Sequence, residues 1–422
     1  MSSAKYTWDV FDLHHRFFTY VPYPQLLVWD GNKRQIFCTP QKHLILWYFA
    51  IFVIIILLGV VASGVILLEQ LFGNPKVSGL VKTLQLIVVG LFAAISGGTG
   101  VAVMLYGERT AVFFNRLVAL EKYLSKVFTP SQCNCSLRSL QRFSNTSSKY
   151  LTEERMLEVL MKGAVLIGSI FAIPVSTMGM INNMDPIGHL LECYILPEPY
   201  NRTTPIIVFS FITRLLICWM ASVETARSIS LLILVFHTVI QIYLKLLHQM
   251  KVCSSSKRKE ILKFYTLLQM IHVDAEPCGN ALIAILMGSG AGLYTTAVWV
   301  TVKGWKQVPF FLYIFAFSFS FIIPGVIMAL LPYAVKIRQN SSKIILGWKL
   351  ECSLKWYSNS FDRRCVRMRI KALRFITFSC GNYFHLKRTT KRNYLHATVD
   401  LAVESLMTVP APSGNPLDWF EF

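Results

Sequence analysis

The sequence predicts an all-α polytopic membrane protein: seven transmembrane helices, a cytoplasmic N-terminus and a cytoplasmic helical anchor region. Three observations lead there. Uncharged apolar runs recur at bilayer-crossing lengths, charged residues are 15% of the chain against 54% hydrophobic, and positive charge is spread unevenly among the connecting segments. A polytopic chain has this composition because lipid contacts replace much of a solvated surface.

Residues 1–43 form the expected cytoplasmic N-terminal segment. They mix polar and aromatic residues ahead of the first apolar run, so no cleavable signal peptide is expected. Leu44 to Leu68 and Leu84 to Tyr106 are each long enough to cross a hydrocarbon core of about 30 Å, which takes about 20 helical residues. Gly163 to Ile181, Cys278 to Val302 and Val308 to Val335 supply three more spans. Between them, Pro205 to Leu247 carries Arg214, Glu224 and Arg227. As one helix it is about 60 Å long at 1.5 Å per residue, so one end must leave the bilayer. These six spans place a bundle with helix extensions at 44–335, followed by a basic linker and anchor segment at 336–392.

The seventh span, at 393–409, differs from the others. Tyr394 to Val409 is too polar to face lipid all round and too apolar for a solvated tail. Asp400 and Glu404 are four residues apart, so a helix points both carboxylates the same way, with Leu395, Val399, Ala402, Leu406 and Met407 around them. A carboxylate at the centre of a membrane costs roughly 2.5–3.5 kcal/mol on insertion scales, which turns such a stripe toward water. Two arrangements satisfy it: a helix lining a pore, or an amphipathic helix on a protein or membrane surface. Residues 410–422 form a tail, extracellular if seven crossings are made.

Charge sets the orientation. With the N-terminus inside, 35 Lys and Arg fall on the inner side and five in the outer loops, as the positive-inside rule requires. The net charge of +20 follows from that topology and from attraction to anionic lipid. Nucleic acid is not implied. The sequon at Asn201 lies in the outer loop between spans 3 and 4 and is the candidate glycosylation site, whereas those at Asn134, Asn145 and Asn340 fall on the inner side. Cys193 is the one cysteine in an outer loop of any length, and Cys133 and Cys135 have no second pair nearby, so neither a structural disulfide nor a metal site is expected.

The chain carries no phosphate-binding glycine loop, no His-Glu-x-x-His pair and no recognisable Ser, His and Asp grouping, so neither an enzyme nor a cofactor is implied. The clusters Ser96-Gly97-Gly98-Thr99-Gly100 and Gly288-Ser289-Gly290-Ala291-Gly292 sit in apolar spans, where small residues serve close helix packing. Ile261 to Leu268 is amphipathic, and its apolar face needs a partner. A single acidic stripe encloses nothing. Repeated around a cyclic axis, it becomes a ring of acids.

Seven spans with an inside N-terminus, short outer loops except the third-to-fourth connection, a basic linker and a final hydrophobic helix near the C-terminus resemble the insect chemoreceptor superfamily of gustatory and odorant receptors. The likeness covers Leu44 to Val409, and Ser379-Cys380-Gly381-Asn382-Tyr383-Phe384-His385-Leu386-Lys387-Arg388-Thr389-Thr390 looks like the re-entry before the last helix in divergent members. The final-helix signature of that family, a Thr-Tyr pair followed by apolar residues and Gln-Phe, is replaced here by Thr398-Val399-Asp400-Leu401-Ala402-Val403-Glu404-Ser405-Leu406. The resemblance implies a tetrameric ligand-gated non-selective cation channel in the plasma membrane, built of like subunits and gated by a small tastant or odorant. Asp400, Val403, Glu404 and Met407 would then line the pore, and Met178, Arg214, Tyr294, Thr295, Tyr313 and Phe317 would line the ligand pocket. The alternative is a six-span transporter or scaffold whose last helix lies on the cytoplasmic surface. Receptors coupled to G proteins fit worse, because their Asp-Arg-Tyr and Asn-Pro-x-x-Tyr motifs are absent.

Overall fold

The computed structural model describes residues 4–72, 80–127, 186–190, 204–252, 258–305, 308, 310–353, 360–381 and 384–408, with isolated residues between 159 and 180. It is a helical polytopic membrane protein. Five helices among the described residues are long and apolar enough to cross a bilayer, within Ile45–Glu69, Leu86–Val127, Val208–Lys251, Glu260–Val302 and Tyr313–Leu350. The expected third span lies largely outside the described residues, as do Met178, Cys193, Asn201 and the C-terminal tail.

The chain opens with helix α1 (Ala4–Phe18) and the antiparallel hairpin of β1 (Leu27–Asp30) and β2 (Gln35–Cys38), in register from Leu27 opposite Cys38 to Asp30 opposite Gln35. The first span is continuous through α2 (Ile45–Tyr48), a π-helical stretch (Phe49–Val61) and α3 (Ala62–Phe72). Then come α4 (Leu80–Val127), the short α5 (Pro186–Leu190), α6 (Thr204–Val252), α7 (Arg258–Val302) and α8 (Phe310–Ser353). The chain closes with α9 (Ser360–Ala372), a hairpin of β3 (Ser379–Cys380) and β4 (Phe384–His385), and α10 (Arg388–Thr408). The two hairpins are additions to the all-helical expectation. The last helix also starts five residues before 393, and α8 passes through 335–336 unbroken, so bundle and basic segment share one helix.

Helices of 44 to 49 residues are about 65–75 Å long, roughly twice the hydrocarbon core. The surplus of α4, α6, α7 and α8 gathers at one end, here termed the base. Its core joins Phe114, Leu117 and Leu124 of α4, Tyr243, Leu246 and Met250 of α6, Ile261, Tyr265 and Leu268 of α7, and Ile337, Ile345 and Trp348 of α8. The amphipathic run at Ile261–Leu268 thus finds its partner in α8, where Tyr265 meets Trp348 edge to face at 5.5 Å. Aromatic burial of this kind exceeds what area alone contributes.

The N-terminal segment is built into the base. Trp8, Phe11 and Trp29 stack on one another and abut Phe114 of α4, and the Trp29 indole donates to Asp12 at 2.7 Å. The Asn115 side chain accepts from the Ile36 amide at 3.0 Å and donates to its carbonyl at 2.8 Å, which satisfies a strand that has β1 on one side only. Deeper in, Glu224 of α6 pairs with Arg227, accepts from the Trp47 indole at 2.9 Å and from the Tyr23 hydroxyl at 3.4 Å. Arg227 donates to the Tyr23 carbonyl at 3.2 Å and lies over its ring. Both charges are almost wholly buried, a burial that only this density of partners makes tolerable.

The glycine clusters pack helix on helix. Cβ atoms at Gly97, Gly98 and Gly100 would meet Ile56, Ile285 and Ile51 at 2.9, 3.2 and 2.8 Å, and one at Gly292 would meet Leu91 at 3.3 Å. Small residues there let α4 approach the first span and α7 closely.

Candidate functional site

The approach to α10 is fixed before the helix begins. In the β3–β4 hairpin Gly381 adopts φ 54, a left-handed conformation open to glycine, and its amide donates to the Asn280 carbonyl of α7 at 3.0 Å. The Ser379 amide donates to the Asn280 side chain at 3.3 Å. Thr390 caps the entry by accepting from the Lys387 amide at 2.8 Å.

One face of α10 packs along the spans. Tyr394 donates its hydroxyl to the Met287 carbonyl of α7 at 2.7 Å, Thr398 and Ala402 are buried, and Leu406 joins a cluster with Leu84, Trp299 and Val308. These positions are four apart, one stripe of a helix. The opposite face carries the sequence-predicted pore residues: Asp400, Val403, Glu404 and Met407 are all exposed, Met407 at 81%. His396 donates from Nδ1 to the Asp400 carboxylate one turn away. This face therefore presents carboxylates beside apolar side chains, and none of the described residues covers it.

The predicted pocket residues separate. Tyr313 of α8 packs against the cluster of Leu84, Trp299, Val300 and Val308, which also receives Leu406 of α10. Phe317 is 45% exposed and forms an aromatic ladder with Tyr313 and Phe321 along the outer face of α8. Arg214 and Tyr294 are half-buried on α6 and α7. The Thr295 hydroxyl and, one turn on, the Trp299 indole N–H are buried with no hydrogen-bond partner among the described residues. A buried donor without an acceptor is costly, so the pair is suited to a ligand oxygen. The sequence reading missed Trp299; its signal was a tryptophan four residues beyond a candidate threonine in an apolar helix.

Long helices that extend into a common base, with a last helix returning among the spans through a short hairpin, define a helical polytopic membrane protein. The chain has the fold of insect olfactory receptor OR5 from Machilis hrabei. Against its structure in complex with eugenol the TM-score is 0.57 at 10% identity, over 96% of this chain and 98% of that one. Against a second structure of that receptor the TM-score is 0.54 at the same identity and coverage. No family model and no curated protein matches the sequence.

Proposed function

We propose that the chain is a chemosensory receptor subunit, a ligand-gated non-selective cation channel in the plasma membrane with α10 of four like subunits lining a central pore. One observation carries it: α10 buries a stripe from Tyr394 to Leu406 against the spans and leaves Asp400, Val403, Glu404 and Met407 exposed among the described residues on the other side. Cyclic symmetry would place that face on an axis, where carboxylates concentrate cations and apolar residues form a constriction. The alternative of a six-span protein with a surface C-terminal helix is disfavoured by Leu406, which reaches the cluster at the far end of α7 and α8.

The ligand on this reading is a small tastant or odorant, consistent with a neighbouring fold described with eugenol. It would sit in the half of the bundle remote from the base, against Arg214, Tyr294, Thr295, Tyr313 and Trp299, with Met178 completing the expected lining, Phe317 on the outer face of α8 apart from it, and a glycan on Asn201 outside. The N-terminus, base and basic segments are cytoplasmic in this assignment. Mass measurement in mild detergent tests the assembly: four subunits are expected, and a stable monomer with an intact membrane domain rules the pore out. A C-terminal tag tests the crossing, being reachable from outside intact cells if α10 spans the membrane and only after permeabilisation if it does not.

A further inference from the structure

A second cavity lies far from the pocket proposed above, where the base meets the spans. Its volume is about 80 Å³, several times the roughly 10–15 Å³ that one water requires. Phe113 of α4, Phe236 of α6, Leu286 of α7 and Phe378, just ahead of β3, wall it. Its floor is the stretch of α7 around Pro277, where a proline inside the helix removes one backbone donor and small residues follow. Gly279 lines the cavity, and a Cβ placed on it meets nothing within 4 Å.

The Glu276 carboxylate is part of the lining, and the other polar groups at its edge are engaged by the protein. His272 contacts the Tyr243 hydroxyl through Nδ1 at 3.2 Å and the Thr377 carbonyl through Nε2 at 3.0 Å. The Thr110 hydroxyl donates to the Tyr106 carbonyl at 2.8 Å and lies 3.3 Å from the Cys278 thiol. Asn280 accepts from Ser379 and Gly381. Apart from Glu276, what the cavity offers a guest is hydrocarbon surface. Phe378 is held edge-on by Tyr243, His272 and Phe236 at 5.4–5.9 Å, so the wall is rigid and the space does not close by side-chain collapse.

We infer that this cavity is a second binding site, for a small uncharged apolar molecule that partitions into the bilayer, distinct from the pocket near Thr295 and Trp299. A largely apolar space holds water weakly, so a guest that fills it gains contacts. Because Phe378 precedes the hairpin that Asn280 clamps and that leads into α10, a guest bears on the segment that positions the last helix; only this regulatory consequence rests on the channel reading.

The test uses the full chain in lipid nanodiscs with 3-phenyl-3-(trifluoromethyl)diazirine, a small apolar photoreactive probe. Light-dependent adducts are expected on residues 275–286 and 375–381 of the unsubstituted protein, suppressed by excess ethylbenzene. Gly279→Leu, whose side chain fills the space, should lower them at least five-fold while leaving adducts on the exposed Phe317–Phe321 ladder unchanged. Gly279→Ala, a smaller change that guards against misfolding, should lower them partly. Absence of those adducts from the unsubstituted protein, or their persistence at full level in a folded Gly279→Leu protein, overturns the site. Suppression by palmitic acid and not by ethylbenzene overturns the small-molecule assignment in favour of a lipid chain. If the adducts behave as expected and the protein passes no ligand-evoked current in a planar bilayer, the site stands and the channel reading falls.

Discussion

Tyr394 and Met287 tie the last helix to the bundle: the phenol of α10 donates to a backbone carbonyl of α7 at 2.7 Å. Gly290 lies beside it: a Cβ there would stand 3.6 Å from the Tyr394 hydroxyl, an ordinary van der Waals contact. Hydrogen bonds between membrane helices average about 0.6 kcal/mol and reach about 1.7. Tyr394→Phe should therefore fold, lower thermal stability within that range, and shift the ligand concentration for half-maximal current by about three-fold. An unchanged melting temperature and an unchanged midpoint would show that this bond does not hold α10 in place.

Asp400 and Glu404 share the uncovered face of α10. Four copies around an axis would raise the local cation concentration. Asp400→Asn with Glu404→Gln is expected to reduce cation conductance and divalent permeation with the tetramer intact. Reversal potentials in salt gradients measure it, and unaltered permeability ratios would remove these acids from the pore.

Gly59 and Ala93 form a tight helix contact in which neither side has a rotamer to yield. A Cβ at Gly59 would stand 2.7 Å from the Ala93 Cβ. Gly59→Ala should cost about 1–3 kcal/mol as an overpacked contact, and adding Ala93→Gly should restore most of it. Detergent melting of the single and double variants gives the coupling; simple additivity would show that the helices are not in contact there.

Glu224 and Arg227 are buried together with Trp47 and Tyr23 around them. Removing one member strands the other, at roughly 3–5 kcal/mol. Glu224→Gln should thus release the N-terminal segment, seen as faster proteolysis before residue 40. The double change Glu224→Gln with Arg227→Met should be markedly less damaging than the sum of its parts.

His14 is buried against Phe18 and donates from Nε2 to the Arg227 carbonyl at 3.4 Å. Burial lowers its pKa from 6.5 to about 4. The neutral form is the folded form, so this packing is unpenalised above pH 6.5 and weakens as pH falls toward 4, by on the order of 3 kcal/mol in full. Hydrogen exchange in α1 should rise over that window. His14→Phe should flatten the dependence, and a profile identical to that of the unsubstituted protein would place its origin elsewhere.

Much of this molecule was legible from residue order alone, for physical reasons. Hydrocarbon demands continuous apolar helices, so the runs beginning at Leu44, Leu84, Cys278 and Val308 declared themselves by length, and the run from Pro205 declared by its excess length that a base exists outside the bilayer. The spacing of Asp400 and Glu404 put them on one helical face whatever surrounded it. Periodicity, however, says which residues share a face and not what that face meets. Only the tertiary structure decided that Tyr394, Thr398 and Ala402 are the packed stripe, that Tyr313 reaches the cluster of Leu84 and Trp299 while Phe317, stacked on it, is exposed, and that Thr295 and Trp299 carry buried donors without a partner among the described residues. The N-terminal hairpin was equally hidden, because its strands are four residues long and are held by Asn115 and Phe114 of α4, some 80 positions away. Contacts between distant residues are set by how helices cross, and no local pattern encodes that.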